Sequence, residues 1–133
     1  MRPDTTVRWI DDLRFEAAAG GAVTLIDGDG KTGPSPVSLL LESVGACTAA
    51  DVVDILRKGR EDVQGLIVEV SAERRGQPPR YVKRLTLRFR IQGPVSRKKA
   101  ERAVDLSLET YCSVFHSMRK DLSLDVEVEV EPA

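Results

Sequence analysis

The sequence has few of the features that mark secreted, membrane or nucleic-acid-binding proteins. Two cysteines in 133 residues are too few for the disulfide framework of a small secreted domain. A net charge of -1 and 5% aromatic residues provide neither a basic field nor stacking rings for nucleic acid. No apolar run approaches the ~20 residues that span a bilayer, and no apolar signal segment opens the sequence. We therefore expect a cytoplasmic protein that binds neither nucleic acid nor membrane.

The length fits one domain, which we expect to occupy residues 1–133 and to bury a core without disulfides. Because thiols are kept reduced in the cytoplasm, a pair of cysteines there indicates redox chemistry or ordinary packing rather than a permanent disulfide. Free cysteine is among the most buried residue types, so the packing alternative stays open on the residue pattern alone.

A helix with a well-marked start is predicted from residue 35 to residue 58. Ser35 supplies an N-cap, Pro36 suits the first helical position, and Gly59 suits the end. The residues between are apolar on nearly every side, which is typical of a central helix. Cys47 lies in its middle. One small sheet would cover such a helix poorly, so we expect a homodimer.

Alternating apolar and polar residues predict strands on both sides of this helix. Short apolar pieces within residues 7–27 predict a meander of strands, and residues 66–73 and 81–91 predict a hairpin. The second hairpin strand is apolar on one face only, which favours an antiparallel sheet with one solvated face.

A second helix is predicted over residues 97–120, with Cys112 on its apolar stripe. Residues 122–131 predict a last strand, whose acidic face is expected to pair with the basic face that contains Arg84, Arg88 and Arg90. Strands, central helix, hairpin, helix and strand in this order predict an α+β fold with antiparallel sheets.

Two segments resemble the signatures of the OsmC/Ohr family. Residues 33–41 begin Gly-Pro-Ser-Pro, and residues 44–53 contain the Cys47-Thr48 pair; both are similar to the family's first helix in its OsmC-like branch. Leu106-Ser107 and residues 111–114, around Cys112, resemble the second-cysteine segment. The resemblance extends over essentially the whole chain, including the order of elements.

The resemblance implies an OsmC-like fold in which sheets wrap around two central helices of an intertwined homodimer. It implies reduction of a small organic hydroperoxide at the dimer interface by a peroxidatic Cys47 and a resolving Cys112, without a cofactor or metal. It also implies a dithiol reductant, of which a lipoyl-type dithiol is one choice. The better-studied members use an arginine to favour the thiolate, and Arg14 is its candidate here, with Arg8 second.

The chemistry needs a thiolate, followed by a second thiol that condenses with the sulfenic acid before further oxidation occurs. The better-studied members carry a glutamate after the proline that opens the first helix, whereas Val37-Ser38 stands there in this chain. Glu42 lies five residues before Cys47, about 140° around the helix, so it is not assigned that role. Asp51, four residues after Cys47, is a negative neighbour that disfavours a thiolate unless a cation offsets it.

Two classes of function follow from these patterns. One is the thiol peroxidase, favoured by the paired cysteines; the other is a non-catalytic relative that binds a small apolar ligand at the dimer interface, favoured by the missing glutamate. A zinc site that joins Cys112, His116 and Cys47 is less favoured, because zinc usually takes about four ligands and a histidine near a helix end suits the surface.

Overall fold

The computed structural model describes residues 2–132 and divides the chain into two compact units, one up to Leu40 and one from Leu41 onward. Its strands and helices follow in this order: β1 (Thr6–Asp11), β2 (Arg14–Ala19), β3 (Ala22–Asp27), α1 (Pro36–Lys58), β4 (Gly65–Arg74), β5 (Val82–Gln92), α2 (Arg97–Leu106), a π-helical segment (Ser107–Tyr111, the π turn), α3 (Ser113–His116) and β6 (Ser123–Glu131). This mixture of helices and two three-stranded sheets confirms the predicted α+β class.

The N-terminal unit is a β1-β2-β3 antiparallel sheet, which confirms the expected meander. Val7 lies opposite Ala17, and Trp9 lies opposite Phe15, so these four side chains share one apolar face. Val7 is 62% exposed and Trp9 is 64% exposed. This face of the sheet is therefore apolar and open within one chain.

Helix α1 begins where the sequence predicts. Ser35 accepts a hydrogen bond from the Ser38 N–H at 3.1 Å, and Pro36 is the first helical residue. In its central part, Gly45 lets the helix approach β4 closely: a Cβ at this position would lie 2.9 Å from Val70 Cγ2. The helix ends at Lys58, directly before Gly59.

The second sheet has the strand order β4-β5-β6, and the core of the C-terminal unit lies on one of its faces. Leu85, Leu87, Phe89 and Ile91 alternate along β5 and are all fully buried. The antiparallel expectation holds for β4 and β5 but is wrong for β6, which runs parallel to β5. Residues 93–122, which contain α2, form the long crossover that a parallel pair requires.

The opposite face of this sheet carries the expected ion pairs. Arg84 Nε lies 2.7 Å from Asp125 Oδ2, and Arg88 Nη2 lies 2.5 Å from Glu129 Oε1. Arg90 Nε and Glu131 Oε1 are 3.5 Å apart. These pairs are partly exposed and screened by solvent, so they fix the register of β6 more than they hold the core.

The second helix is shorter than the predicted span of residues 97–120, and Cys112 lies outside it. Helix α2 ends at Leu106, and the π turn follows through Tyr111. The Cys112 N–H closes the π turn with a 2.7 Å hydrogen bond to the Ser107 carbonyl. Cys112 itself has an extended backbone and serves as the N-cap of α3. Within residues 2–132, no helix has both the length and the apolar content of a membrane span.

Candidate thiol site

The two cysteines and one aspartate meet inside the C-terminal unit. Cys47 and Asp51 lie one turn apart on the same face of α1, and Cys112 is brought to them by the π turn. The two sulfur atoms and one Asp51 carboxylate oxygen all lie within 4.8 Å of one another. Cys47 is half-buried, whereas Cys112 is fully buried. The site is therefore a close pair of unequal thiols beside one carboxylate.

Ser107 fixes the carboxylate of this cluster. Its hydroxyl is fully buried and donates a 2.8 Å hydrogen bond to Asp51 Oδ2. The hydrogen bond that closes the π turn joins the Ser107 carbonyl to the Cys112 N–H. One π turn thus places a hydroxyl against Asp51 and a thiol near Cys47, two residues that lie one α-helical turn apart. π-helical segments are frequent at functional sites.

The surroundings of Cys112 favour its neutral thiol. The pKa of Cys112 is raised from its ordinary value of 9.0 to about 11, mainly by burial, with smaller contributions from a hydrogen bond with Cys47 and from the negative charges of Cys47 and Asp51. The Phe115 N–H, which donates to the sulfur at 3.4 Å, lowers this pKa in part. Cys112 therefore keeps its proton at neutral pH and donates it toward the Cys47 sulfur.

Thr48, the partner of Cys47 in the signature pair, has its hydroxyl satisfied inside the helix. It is fully buried and donates to the Val44 and Gly45 carbonyls, each at 3.0 Å. Such a bond to the preceding turn lets a threonine sit in a core without an unpaired polar group. The contacts of Thr48 therefore indicate a core residue that lies next to Cys47 in sequence.

The donor set of the cluster is one that metals accept. Two cysteine sulfur atoms, once deprotonated, and one carboxylate would supply three of the four ligands that a tetrahedral zinc ion takes. His116, the companion weighed for Cys112 from the sequence, is not among the donors that converge within the described residues. Its ring instead packs edge-on against Phe115, with 5.6 Å between the ring centroids.

Both arginine candidates lie in the N-terminal unit, and each is paired with a carboxylate there. Arg14, in β2, donates from Nε to Asp11 Oδ1 at 2.6 Å and also contacts Asp11 Oδ2 through Nη2. Arg8 lies 3.1 Å from Glu16 Oε1. The bond from Arg14 lowers the pKa of Asp11. The role of Arg14 in favouring a thiolate stays a prediction.

Reasoning from the sequence did not identify Ser107 as a member of the site. Ser107 appeared only as part of a family segment, and a helical periodicity of 3.6 residues assigns it no special position. The one usable signal is chemical, because serine inside a predicted helix often bonds a neighbouring polar group. The π turn itself has no signature in the pattern of apolar and polar residues.

Comparison with known proteins agrees with this architecture. A family model described as OsmC-like protein matches residues 28–128, which is most of the chain. Protein YhfA of Escherichia coli strain K12 is 38% identical over 130 residues, which cover 96% of this chain and 97% of YhfA. The match to YhfA therefore extends over nearly the whole length of both proteins.

Solved structures show the same fold. A hypothetical protein from Aquifex aeolicus has a TM-score of 0.91 and 27% identity, covering 100% of this chain and 99% of the other. The organic hydroperoxide resistance protein OhrB of Bacillus subtilis has a TM-score of 0.69 and 16% identity, covering 94% and 96%, and is similar in fold alone. Because the family model covers most of the chain and YhfA exceeds 30% identity over nearly all of it, the chain belongs to the OsmC-like protein family.

Proposed function

We propose that this protein is a thiol-dependent hydroperoxide reductase that protects the cytoplasm against oxidative stress. The observation that carries the proposal is the pair of sulfur atoms within 4.8 Å, one on a half-buried and one on a fully buried cysteine. Membership of the OsmC-like family supports it, as does the likeness of fold to a protein named for organic hydroperoxide resistance.

The unequal environments of the thiols assign their order of reaction. Cys47 is the accessible thiol and attacks the peroxide, whereas Cys112 is buried and holds its proton because its pKa is raised to about 11. The Cys47 thiolate attacks one peroxide oxygen, the O–O bond breaks, and the departing alkoxide takes a proton to become an alcohol. Cys47 is left as the sulfenic acid.

The second half of the cycle restores the enzyme. The Cys112 sulfur displaces the hydroxyl group of the Cys47 sulfenic acid, which leaves as water, and a disulfide forms between the two residues. A dithiol reductant, for which we propose a lipoyl-type dithiol, then exchanges with the disulfide and leaves as its own oxidised form. Cys47 packs against the hydrophobic core, in which Val44 lies one helical turn before it, and this gives the site apolar walls that suit an organic peroxide.

A homodimer completes the proposed enzyme. The exposed apolar face of the N-terminal sheet, with Val7 and Trp9 more than half exposed, is a surface that a second copy would cover. Arg14 remains our candidate for the cation that the Cys47 thiolate needs in this dimer. Sedimentation should show a dimer at micromolar concentration, and a stable folded monomer would contradict this part of the proposal.

The direct test is thiol titration after one equivalent of cumene hydroperoxide is added to the reduced protein. The proposal expects rapid loss of both thiols and one intramolecular disulfide per chain, found by mass spectrometry. Turnover with dihydrolipoamide should be abolished in Cys47→Ser, whereas Thr48→Ser, which keeps the buried hydroxyl, should retain it. Unchanged thiols in the wild-type protein would leave the alternative, a non-catalytic binder of small apolar ligands.

A further inference from the structure

We propose that Asp51 is the proton carrier in the step by which Cys112 resolves the sulfenic acid on Cys47. The inference rests on the proposed peroxidase function and extends it to a residue that is assigned no part in the reaction above. Three facts of geometry carry it: the convergence of Asp51 with both sulfur atoms, its position one helical turn after Cys47, and its hydrogen bond from Ser107.

The position of Asp51 is unfavourable for forming thiolates. Its negative charge disfavours ionisation of Cys112, and the main groups that shift the pKa of this thiol within the described residues include no cation. A carboxylate at this place therefore hinders the first chemical step if it has any electrostatic effect there. In the second step, a proton must leave the Cys112 sulfur and reach the departing oxygen. A role for Asp51 in that step accounts for the location of its carboxylate.

The resolving step needs a base because of where Cys112 lies. Its sulfur is fully buried, so bulk water and buffer do not reach its proton directly. Its S–H donates toward Cys47, the sulfur that carries the hydroxyl group after oxidation. Asp51 is the one carboxylate in the converging cluster, and carboxylates serve as general acids and bases when they lie within reach of the reacting groups.

The proposed transfer balances as follows. The Asp51 carboxylate accepts the proton of the Cys112 thiol while the Cys112 sulfur attacks the Cys47 sulfur. The S–O bond of the sulfenic acid breaks with its electron pair, and Asp51 returns the proton to the departing hydroxide, which leaves as water. Asp51 ends the step as a carboxylate, the two sulfurs are joined, and the hydroperoxide consumed in the first step is the only oxidant.

Ser107 is the positioning residue for this carrier. Its buried hydroxyl holds Oδ2 of Asp51 at 2.8 Å, and it is tied through the π turn to the backbone of Cys112. The converging atoms lie within 4.8 Å of one another, a span that a small side-chain rotation or one bridging water can close for the transfer. The carboxylate is thus kept near the thiol whose proton it carries.

Single-turnover kinetics of Asp51→Asn test the proposal, because asparagine keeps an oxygen that can accept from Ser107 but cannot carry the proton. After cumene hydroperoxide is added, sulfenic acid should form on Cys47 at the wild-type rate or faster, since a negative neighbour is gone. Disulfide formation should then slow by about a hundredfold, the low end of general acid–base effects. Asp51→Glu should recover part of the loss.

Ser107→Ala separates proton transfer from a merely structural role. This variant loses the hydrogen bond but keeps the carboxylate, so it should resolve within about tenfold of wild type, well above Asp51→Asn. Equal slowing of both variants, or disulfide formation in Asp51→Asn at the wild-type rate, would overturn the role of Asp51. Circular dichroism of each variant checks that it is folded before the rates are compared.

A second probe, 5,5′-dithiobis(2-nitrobenzoate), keeps this proposal distinguishable from the peroxidase proposal. Attack by Cys47 releases one thionitrobenzoate, and attack by Cys112 on the mixed disulfide releases a second. Only the second release should slow in Asp51→Asn. Wild-type protein that releases both groups but leaves cumene hydroperoxide intact contradicts the peroxidase function, whereas identical second releases in wild type and Asp51→Asn contradict the role of Asp51.

Discussion

Cys112 should titrate as an unusually weak acid, and this is measurable in the Cys47→Ser variant, which contains a single thiol. Burial is the largest cause of the raised pKa of Cys112, and it remains when Cys47 is replaced, whereas the contributions of the Cys47 hydrogen bond and charge are lost. The pKa in the variant should therefore fall below the value of about 11 in the intact pair but stay above the ordinary 9.0.

The size of the effect follows from the pKa difference. In the intact pair, a rise from 9.0 to about 11 makes the Cys112 thiolate about a hundredfold rarer at neutral pH than that of an ordinary thiol. The ultraviolet absorbance of the thiolate, followed against pH in Cys47→Ser, gives the pKa without requiring a reagent to reach the buried sulfur. The same variant unfolded in denaturant is the control and should titrate near the ordinary value. A folded-state pKa at or below 9.0 would refute the assignment of Cys112 as the protonated partner.

Three further predictions concern other parts of the molecule. Cys112→Ser should react once with peroxide and then accumulate Cys47 with about two added oxygens, by mass spectrometry; full turnover with a dithiol would remove Cys112 from the mechanism. The pKa of Asp27 is lowered to about 2, mainly by the Thr32 and Asp29 amides, so its ionised form stabilises the fold above pH 4 and this contribution disappears as pH falls through 2. The advantage in melting temperature of wild type over Asp27→Asn, followed with the single tryptophan, should shrink over that interval; a constant difference would contradict it. Gly45→Ala should lower the free energy of unfolding by about 1–3 kcal/mol because the added methyl group is crowded, whereas the gain in helix propensity is at most ~1 kcal/mol. Urea unfolding that shows a stabilised variant would be inconsistent with the close approach of α1 to β4.

Features whose signals are local were predicted from the sequence. The Ser35 cap and Pro36 start of α1 are confirmed because a cap is a chemical match between one side chain and one N–H. The alternation along β5 is confirmed because a strand exposes every second side chain to one face. The pairing of Arg88 with acidic residues of the last strand is confirmed for the same reason, since it depends only on which face each residue occupies.

The direction of β6 could not be read from the same pattern. Side chains alternate with a period of two in parallel and antiparallel strands alike, so the residues of β6 carry no sign of its direction. The ion pairs between Arg84 and Asp125 and between Arg88 and Glu129 form together only in the parallel arrangement, but the alternation alone does not show which arginine meets which carboxylate. Only the path of residues 93–122 decides, and that path depends on how α2 packs.

The candidate site was predicted in part, and its limits have a physical cause. The resemblance singled out Cys47 and Cys112, and helical spacing placed Asp51 on the face of Cys47. Ser107 and the N-cap position of Cys112 were missed, because both depend on one backbone irregularity. A hydrophobic stripe that is read with a period of 3.6 continues straight through such a segment. The structure was needed to find the residue that connects the two cysteine segments.

The π turn accounts for the identity of the residue that meets Cys47. In a continuous α-helix, the residue that shares a face with Ser107 is four positions on, which is Tyr111. The π turn bonds Ser107 to the residue five positions on, so Cys112 takes that place and is fully buried, whereas Tyr111 is 57% exposed. The extra residue thus directs a thiol instead of a phenol toward α1. Any change that returns this segment to regular α-helix would move Cys112 away from the Ser107–Asp51 contact. Asp51, the proposed proton carrier, would then no longer lie beside the thiol whose proton it carries.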